Sequence, residues 1–226
     1  MQEQKSILIL GAGFGGVAAA RKLGKKLLKE SCCTITVVDR QPMHLFTPLL
    51  YELATAFVEH KNLGSASLLR SGVALDNAEL FARWGVDFVQ AEIEKVDHEH
   101  KQVVLSSGIS MRFDYLVVAL GTETNFFNIP GMEEHASILK TSAHADRLRQ
   151  RVHDLLHKKE KGKIDHLNIV IGGAGATGVE LASELTLFLR QHMMRGHLKP
   201  EDFTIRIIEG RDRVLPAIGE PLSGLA

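Results

Sequence analysis

The stretch Gly11-Ala12-Gly13-Phe14-Gly15-Gly16 decides the fold, and Gly173-Ala174-Gly175-Ala176-Thr177-Gly178 repeats its pattern later in the chain. Each follows an apolar run, Ile7-Leu8-Ile9-Leu10 or Leu167-Asn168-Ile169-Val170-Ile171. Each opens a stretch of helical composition, residues 14 to 30 or roughly 176 to 192. A β-rich run then ends in an acid: Thr34-Ile35-Thr36-Val37-Val38 runs into Asp39, and Phe203-Thr204-Ile205-Arg206-Ile207-Ile208 into Glu209. Both are βαβ units built to hold a dinucleotide. Gly11 and Gly173 let the strand turn sharply, Gly13 and Gly175 let backbone approach a pyrophosphate, and Gly16 and Gly178 let the helix pack close to the strand. The helix N-terminus faces the phosphates with its unpaired amides. Asp39 and Glu209 stand where a carboxylate accepts hydrogen bonds from the adenosine ribose. Glu209 would repel a 2′-phosphate and so favours NADH, a preference that Arg211 and Arg213 nearby qualify.

Outward from these turns, Pro42 to Ala56 holds an apolar helix start at Pro48-Leu49-Leu50, and residues 65 to 84 have a helical look with weak periodicity. Val86-Asp87-Phe88-Val89 and Gln102-Val103-Val104-Leu105 read as strands on either side of the polar turn Asp97-His98-Glu99-His100. Tyr115-Leu116-Val117-Val118-Ala119 is a near-continuous apolar run, expected to be a strand buried on both faces of a parallel sheet and ending at Gly121. After the Pro130-Gly131 turn, residues 141 to 160 read as an amphipathic helix. It leads into the charged run His157-Lys158-Lys159-Glu160-Lys161-Gly162-Lys163, taken as the domain boundary although a solvated loop explains it equally. The expected fold class is therefore α/β, with two Rossmann-like dinucleotide-binding domains: residues 1–163 the N-terminal part of one, and residues 164–226 the start of the other. The second domain and the closing part of the first are expected to be incomplete.

With 226 residues, 45% of them hydrophobic, the chain can bury a real core. Its 27 basic and 27 acidic residues cancel, which leaves no global field to gather nucleic acid. Cys32 and Cys33 are adjacent and frame no disulfide scaffold; they read as inert thiols in or beside a strand. No metal site is expected, since His98 and His100 are better explained by a polar turn. The start of the chain has neither a signal-peptide pattern nor an Arg-rich presequence, which makes the cytoplasm the default. No run reaches the 18 or so apolar residues of a membrane span, so membrane contact would be peripheral.

Asp114-Tyr115-Leu116-Val117-Val118-Ala119-Leu120-Gly121-Thr122 completes a layout that resembles the two-dinucleotide flavoproteins, and within them the type II NADH:quinone oxidoreductases. Three stretches carry the likeness: His44-Leu45-Phe46-Thr47-Pro48-Leu49-Leu50-Tyr51-Glu52-Leu53-Ala54-Thr55-Ala56, Thr124-Asn125-Phe126-Phe127-Asn128-Ile129-Pro130-Gly131, and Gly175-Ala176-Thr177-Gly178-Val179-Glu180-Leu181-Ala182-Ser183-Glu184-Leu185. The resemblance implies FAD held by Gly11, Gly13, Phe14, Gly15, Gly16, Asp39 and Arg40, with Thr47 and Pro48 near the flavin ring and Ala119 to Gly121 closing the site. It implies NADH at Gly173, Gly175, Ala176, Thr177, Gly178 and Glu209, and Glu180 as the glutamate that approaches flavin and nicotinamide. Thr47-Pro48 also suits a plain helix N-terminus, and Glu180 a carboxylate stabilised by the helix dipole.

The implied reaction passes a hydride from NADH to FAD and electrons on to a quinone, the protein contributing orientation and electrostatics. In that family a later C-terminal region meets the inner face of the cell membrane and forms the quinone site. This chain is therefore expected to be an N-terminal portion, impaired alone in FAD retention or turnover. Disulfide and sulfide:quinone reductases share the layout but need a redox cysteine pair, and Cys32-Cys33 has the wrong place and spacing. Relatives of apoptosis-inducing factor or of ferredoxin reductases, and a non-catalytic nucleotide-binding fragment, remain as alternatives. The pattern specifies neither the quinone nor whether a homodimer forms.

Overall fold

The structure is a computed structural model that describes residues 4–27, 33–56, 72 and 74–216. It divides into two compact units, one of Met1–Leu45 with Ala74–Phe127, the other of Phe46–Val73 with Asn128–Ala226.

The first unit is built on β1 (Lys5–Leu10), α1 (Phe14–Leu27) and β2 (Cys33–Asp39). β1 and β2 run parallel, Ile9 opposite Val37. The short strand β3 (Met43–Leu45) pairs antiparallel with β4 (Ala74–Asp76). Within residues 65 to 84, Asn77–Ala82 is a helix, capped by Asp76, whose side chain accepts from the Glu79 amide at 3.0 Å; residues 57–71 and 73 lie outside the described residues. Beyond it, β5 (Asp87–Gln90) joins the sheet, and β6 (Ile93–Asp97), β7 (Gln102–Leu105) and β8 (Ser110–Arg112) form an antiparallel meander. β9 (Tyr115–Val118) returns to pair parallel with β1, which gives the order β5-β2-β1-β9.

Both faces of this sheet are covered, and the alternation along β1 shows how. Ile7 and Ile9 pack with Ala20, Ile35, Val37, Phe81 and Val86, while Leu8 and Leu10 pack with Val38, Val103, Leu105 and Phe113 of the meander side. A strand buried on both sides reads as a continuous apolar run because neither face can carry a polar group. The same inference fails for β9. Tyr115 and Val118 are 61% and 64% exposed, because β9 is an edge strand bonded to β1 alone among the described strands.

In the second unit, residues 47–49 make a 3-10 turn with a proline in its first positions, followed by α2, which is the helix Leu50–Thr55. Because Asn77–Ala82 (α3) precedes them in the chain, the later helices are α4 (Met132–His135), α5 (Ser142–Glu160) and α6 (Ala176–Met194). β10 (Leu167–Gly172) and β11 (Phe203–Ile208) pair parallel, Ile169 opposite Ile205. α5 begins at the predicted place, where the Thr141 hydroxyl accepts from the His144 amide.

The division of the chain differs from the expected break after Lys163. Val152 and Leu156 of α5 share one core with Leu167, Ile171, Leu185, Phe188 and Leu189, so α5 belongs with the second βαβ unit. α2 packs on α5 and α6 and takes residues 46–55 with it. The charged run closes a helix. The Lys161 amide bonds the His157 carbonyl, the Lys163 amide bonds that of Lys158 at 2.8 Å, and Gly162 takes the left-handed conformation at φ 64°.

Candidate functional site

The first glycine turn is fixed from four directions within its own unit. The Gly11 amide bonds the Val38 carbonyl at 2.8 Å, and Gly11 sits at φ 100°, a conformation that penalises any side chain. A Cβ at Gly11 would overlap the Ala119 carbonyl, and one at Gly16 would overlap the Gly11 carbonyl oxygen. Asp39 uses both carboxylate oxygens on backbone: Oδ2 accepts from the Ala12 amide and Oδ1 from the Gln41 amide, each at 2.7 Å. The buried His44 ring lies 2.8 Å by Nδ1 from the Ala12 carbonyl, and the Phe14 ring stands edge-on to it with centroids 5.3 Å apart.

The second turn repeats the backbone part of this pattern. Gly173 sits at φ 99°, its amide 2.7 Å from the Ile208 carbonyl, and a Cβ at Gly178 would overlap the Gly173 carbonyl oxygen. Glu209 accepts from the Ala174 amide at 2.8 Å and from the Arg211 amide at 3.0 Å. These amides, Ala174 first, hold the Glu209 carboxyl below its ordinary pKa. Two differences separate the turns. The Ala174 carbonyl is capped by the Leu215 amide, at 2.7 Å, and nothing among the described residues comes within 4 Å of a Cβ placed on Gly173.

The residues present suit a dinucleotide at both turns. Neither α1 nor α6 has an acid in its first turn, so neither helix sets a carboxylate of that turn against an approaching phosphate. α6 starts on Gly175 with no side-chain cap, and Ala176 and Thr177 form its first, exposed turn. The first amides of a helix have no carbonyl one turn back to bond and are satisfied from outside. Gly13 and Gly175 face open space, since a Cβ on either would meet nothing within 4 Å, whereas one on Gly15 would touch the Ala119 Cβ at 3.6 Å.

The other residues singled out by sequence divide between the two units. In the first, Arg40 follows Asp39 and lies 3.7 Å from Glu92 in an exposed pair, a contact that adds little to stability. Gly121 follows the Ala119 segment at φ 79° with open space around it. In the second, Thr47 and Pro48 begin the 3-10 turn that leads into α2, which agrees with the plain reading of that proline, and both are exposed. Glu180 is exposed on α6, one helical turn before Glu184. Burial first, and then the charges of Glu180, Glu52 and Glu184, raise the pKa of Tyr51 on α2, so this acidic face of α6 is turned toward α2.

His44 and Leu215 are the residues that sequence reasoning missed. His44 stands in a quoted motif, but a lone histidine carries no pattern that announces a carbonyl cap. His100 bonds Asp97 through both its amide, at 3.0 Å, and its ring Nδ1, at 2.9 Å, which makes this pair a turn lock between β6 and β7. Cys33 is a buried thiol at the start of β2, the end of the strand away from the turn; Cys32 lies outside the described residues.

The Glu209 pKa gives a pH expectation whose sign is fixed. A carboxyl held below its ordinary value of 4.5 contributes stability at neutral pH, and that contribution is lost as pH falls through the lowered folded value. In E209Q, denaturant unfolding should depend less on pH in this acid range than in the parent chain. An unchanged slope would remove Glu209 from the role.

A family model described as pyridine nucleotide-disulphide oxidoreductase matches residues 5–226. The chain is 31% identical over 225 residues to a type II NADH:quinone oxidoreductase of Staphylococcus aureus, covering 98% of this chain and 53% of that protein. It is 30% identical over 235 residues to the mitochondrial external alternative NADH-ubiquinone oxidoreductase of Yarrowia lipolytica, covering 97% of this chain and 38% of that protein. Among solved structures, NDH2 of Plasmodium falciparum in complex with NADH superposes with a TM-score of 0.76 at 25% identity, over 98% of this chain and 45% of that one. The chain thus spans about half the length of such relatives or less.

Proposed function

The chain belongs to the pyridine nucleotide-disulphide oxidoreductase family, and from that premise we propose that it is the dinucleotide-binding part of a type II NADH:quinone oxidoreductase, with FAD at the first turn and NADH at the second. The observation that carries this reading is the repeated turn, in which Asp39 and Glu209 reach back to the Ala12 and Ala174 amides and leave the Gly13 and Gly175 sides open. The names of its relatives support NADH as donor and a quinone as acceptor. Cys33, at the far end of β2 from the turn, gives no support to a disulfide-exchanging relative.

Bound FAD would supply two-electron redox chemistry between the nicotinamide and the quinone. The chain's residues supply the binding. Each carboxylate keeps lone pairs for ribose hydroxyls while it orders the turn, and each helix N-terminus offers amides and a positive dipole end to a diphosphate. Glu180, Thr47 and Pro48 are proposed to face the reacting rings, with Ala119 to Gly121 and Arg40 on the FAD side. No helix among the described residues is long and apolar enough to cross a membrane. We assign the contact with the inner face of the cell membrane, the quinone site and any homodimer contact to the relatives' additional length.

An absorption spectrum tests the proposal. The protein should take up added FAD and bleach anaerobically with NADH, and with a soluble quinone it should regain its colour more slowly than a protein that includes the relatives' additional length. Stable flavin that NADH cannot bleach would overturn the NADH assignment. Reoxidation by ferredoxin or oxygen but by no quinone would favour the other flavin reductases.

A further inference from the structure

We propose that His44 is a positioning residue for the dinucleotide at the first turn, a task that the second turn gives to the backbone amide of Leu215. The inference rests on reading the first turn as the FAD site. A carbonyl oxygen only accepts hydrogen bonds, so at 2.8 Å from the Ala12 carbonyl the His44 Nδ1 must carry the proton and donate it. That carbonyl belongs to the Ala12–Gly13 peptide, which is planar and trans, as no cis bond occurs among the described residues. Holding the oxygen on one side therefore aims the Gly13 N–H to the other.

The preceding peptide is held as well, because the Ala12 amide donates to Asp39. With both peptides around Ala12 locked, the Gly13 N–H has its direction set before any ligand arrives, on a residue with open space around it. A donor fixed in advance costs less ordering on binding. In the second turn the Ala174 amide donates to Glu209 and the Ala174 carbonyl accepts from Leu215 at 2.7 Å, which locks the same two peptides. His44 comes from β3, far along the chain from Ala12, and is 6% exposed beside the Phe14 ring. The same carbonyl is thus held by a side chain at one turn and by backbone at the other, so a side-chain substitution can loosen only the first.

The test compares FAD affinity and the unfolding temperature of the flavin-free chain in H44A, H44N and H44L. The asparagine amide occupies the place of Nδ1 and can donate to the same carbonyl, whereas leucine has similar size and no donor. FAD should bind about tenfold more weakly, or worse, in H44A and H44L, and close to the parent value in H44N. Equal weakening in H44N and H44L would overturn the proposal, because packing alone would then explain it. So would parent-like affinity in H44L. The asparagine–leucine pair decides the matter even where H44A does not fold. A parent chain that takes up no FAD overturns the reading of the first turn, and this inference with it.

Discussion

G16A should lower the stability of the first unit by about 3 kcal/mol and G178A that of the second by less, although the two glycines hold the same place. A Cβ at either would overlap the carbonyl oxygen of the first glycine in its turn, Gly11 or Gly173. The difference lies in whether that carbonyl can withdraw. Gly11 is pinned by its amide bond to Val38 and is backed by the Ala119 carbonyl, which a Cβ on Gly11 would strike. Gly173 has a matching bond to Ile208, yet no described atom lies within 4 Å of a Cβ built on it, so its turn can shift outward. For a chain of this size 3 kcal/mol corresponds to a fall in unfolding temperature of about 6–12 °C. Calorimetry of the two variants decides it: equal losses, or a larger one for G178A, would mean that the Ala119 segment does not confine the first turn.

Much of the fold is legible in the sequence because its determinants are local. The apolar strands, the glycine turns and the terminal acids lie within one βαβ unit each, and every one of them forms where the pattern puts it. What the sequence conceals depends on distant partners. The run 115–118 is apolar enough for a central strand, but its exposure follows from its place at the sheet edge, which composition does not encode. The charged run at 157–163 resembles a linker, yet Val152 and Leu156 before it are buried with β10. His44 is hidden for the same reason, since its partner is the Ala12 carbonyl, 32 residues away, and a backbone acceptor leaves no trace in the sequence.

G13A separates holding a ligand from holding the fold, which G16A cannot do. Its Cβ would meet nothing within 4 Å, and Gly13 is not among the residues with positive φ, so alanine fits the protein as it stands. Alanine is a poorer residue than glycine where α1 begins, at a cost of about 0.5–1 kcal/mol, so the unfolding temperature of the flavin-free chain should fall by only about 1–4 °C. The open space is nevertheless where we place the diphosphate, and a methyl group there keeps phosphate oxygens from the amides. Charge-assisted hydrogen bonds are worth roughly 1.5–3 kcal/mol each, so blocking one weakens FAD binding by about tenfold to a hundredfold. Fluorescence titration of the flavin-free chain measures this directly. Unchanged FAD affinity in a folded G13A would place the diphosphate elsewhere, and a large drop in unfolding temperature would show that the space before Gly13 serves the fold.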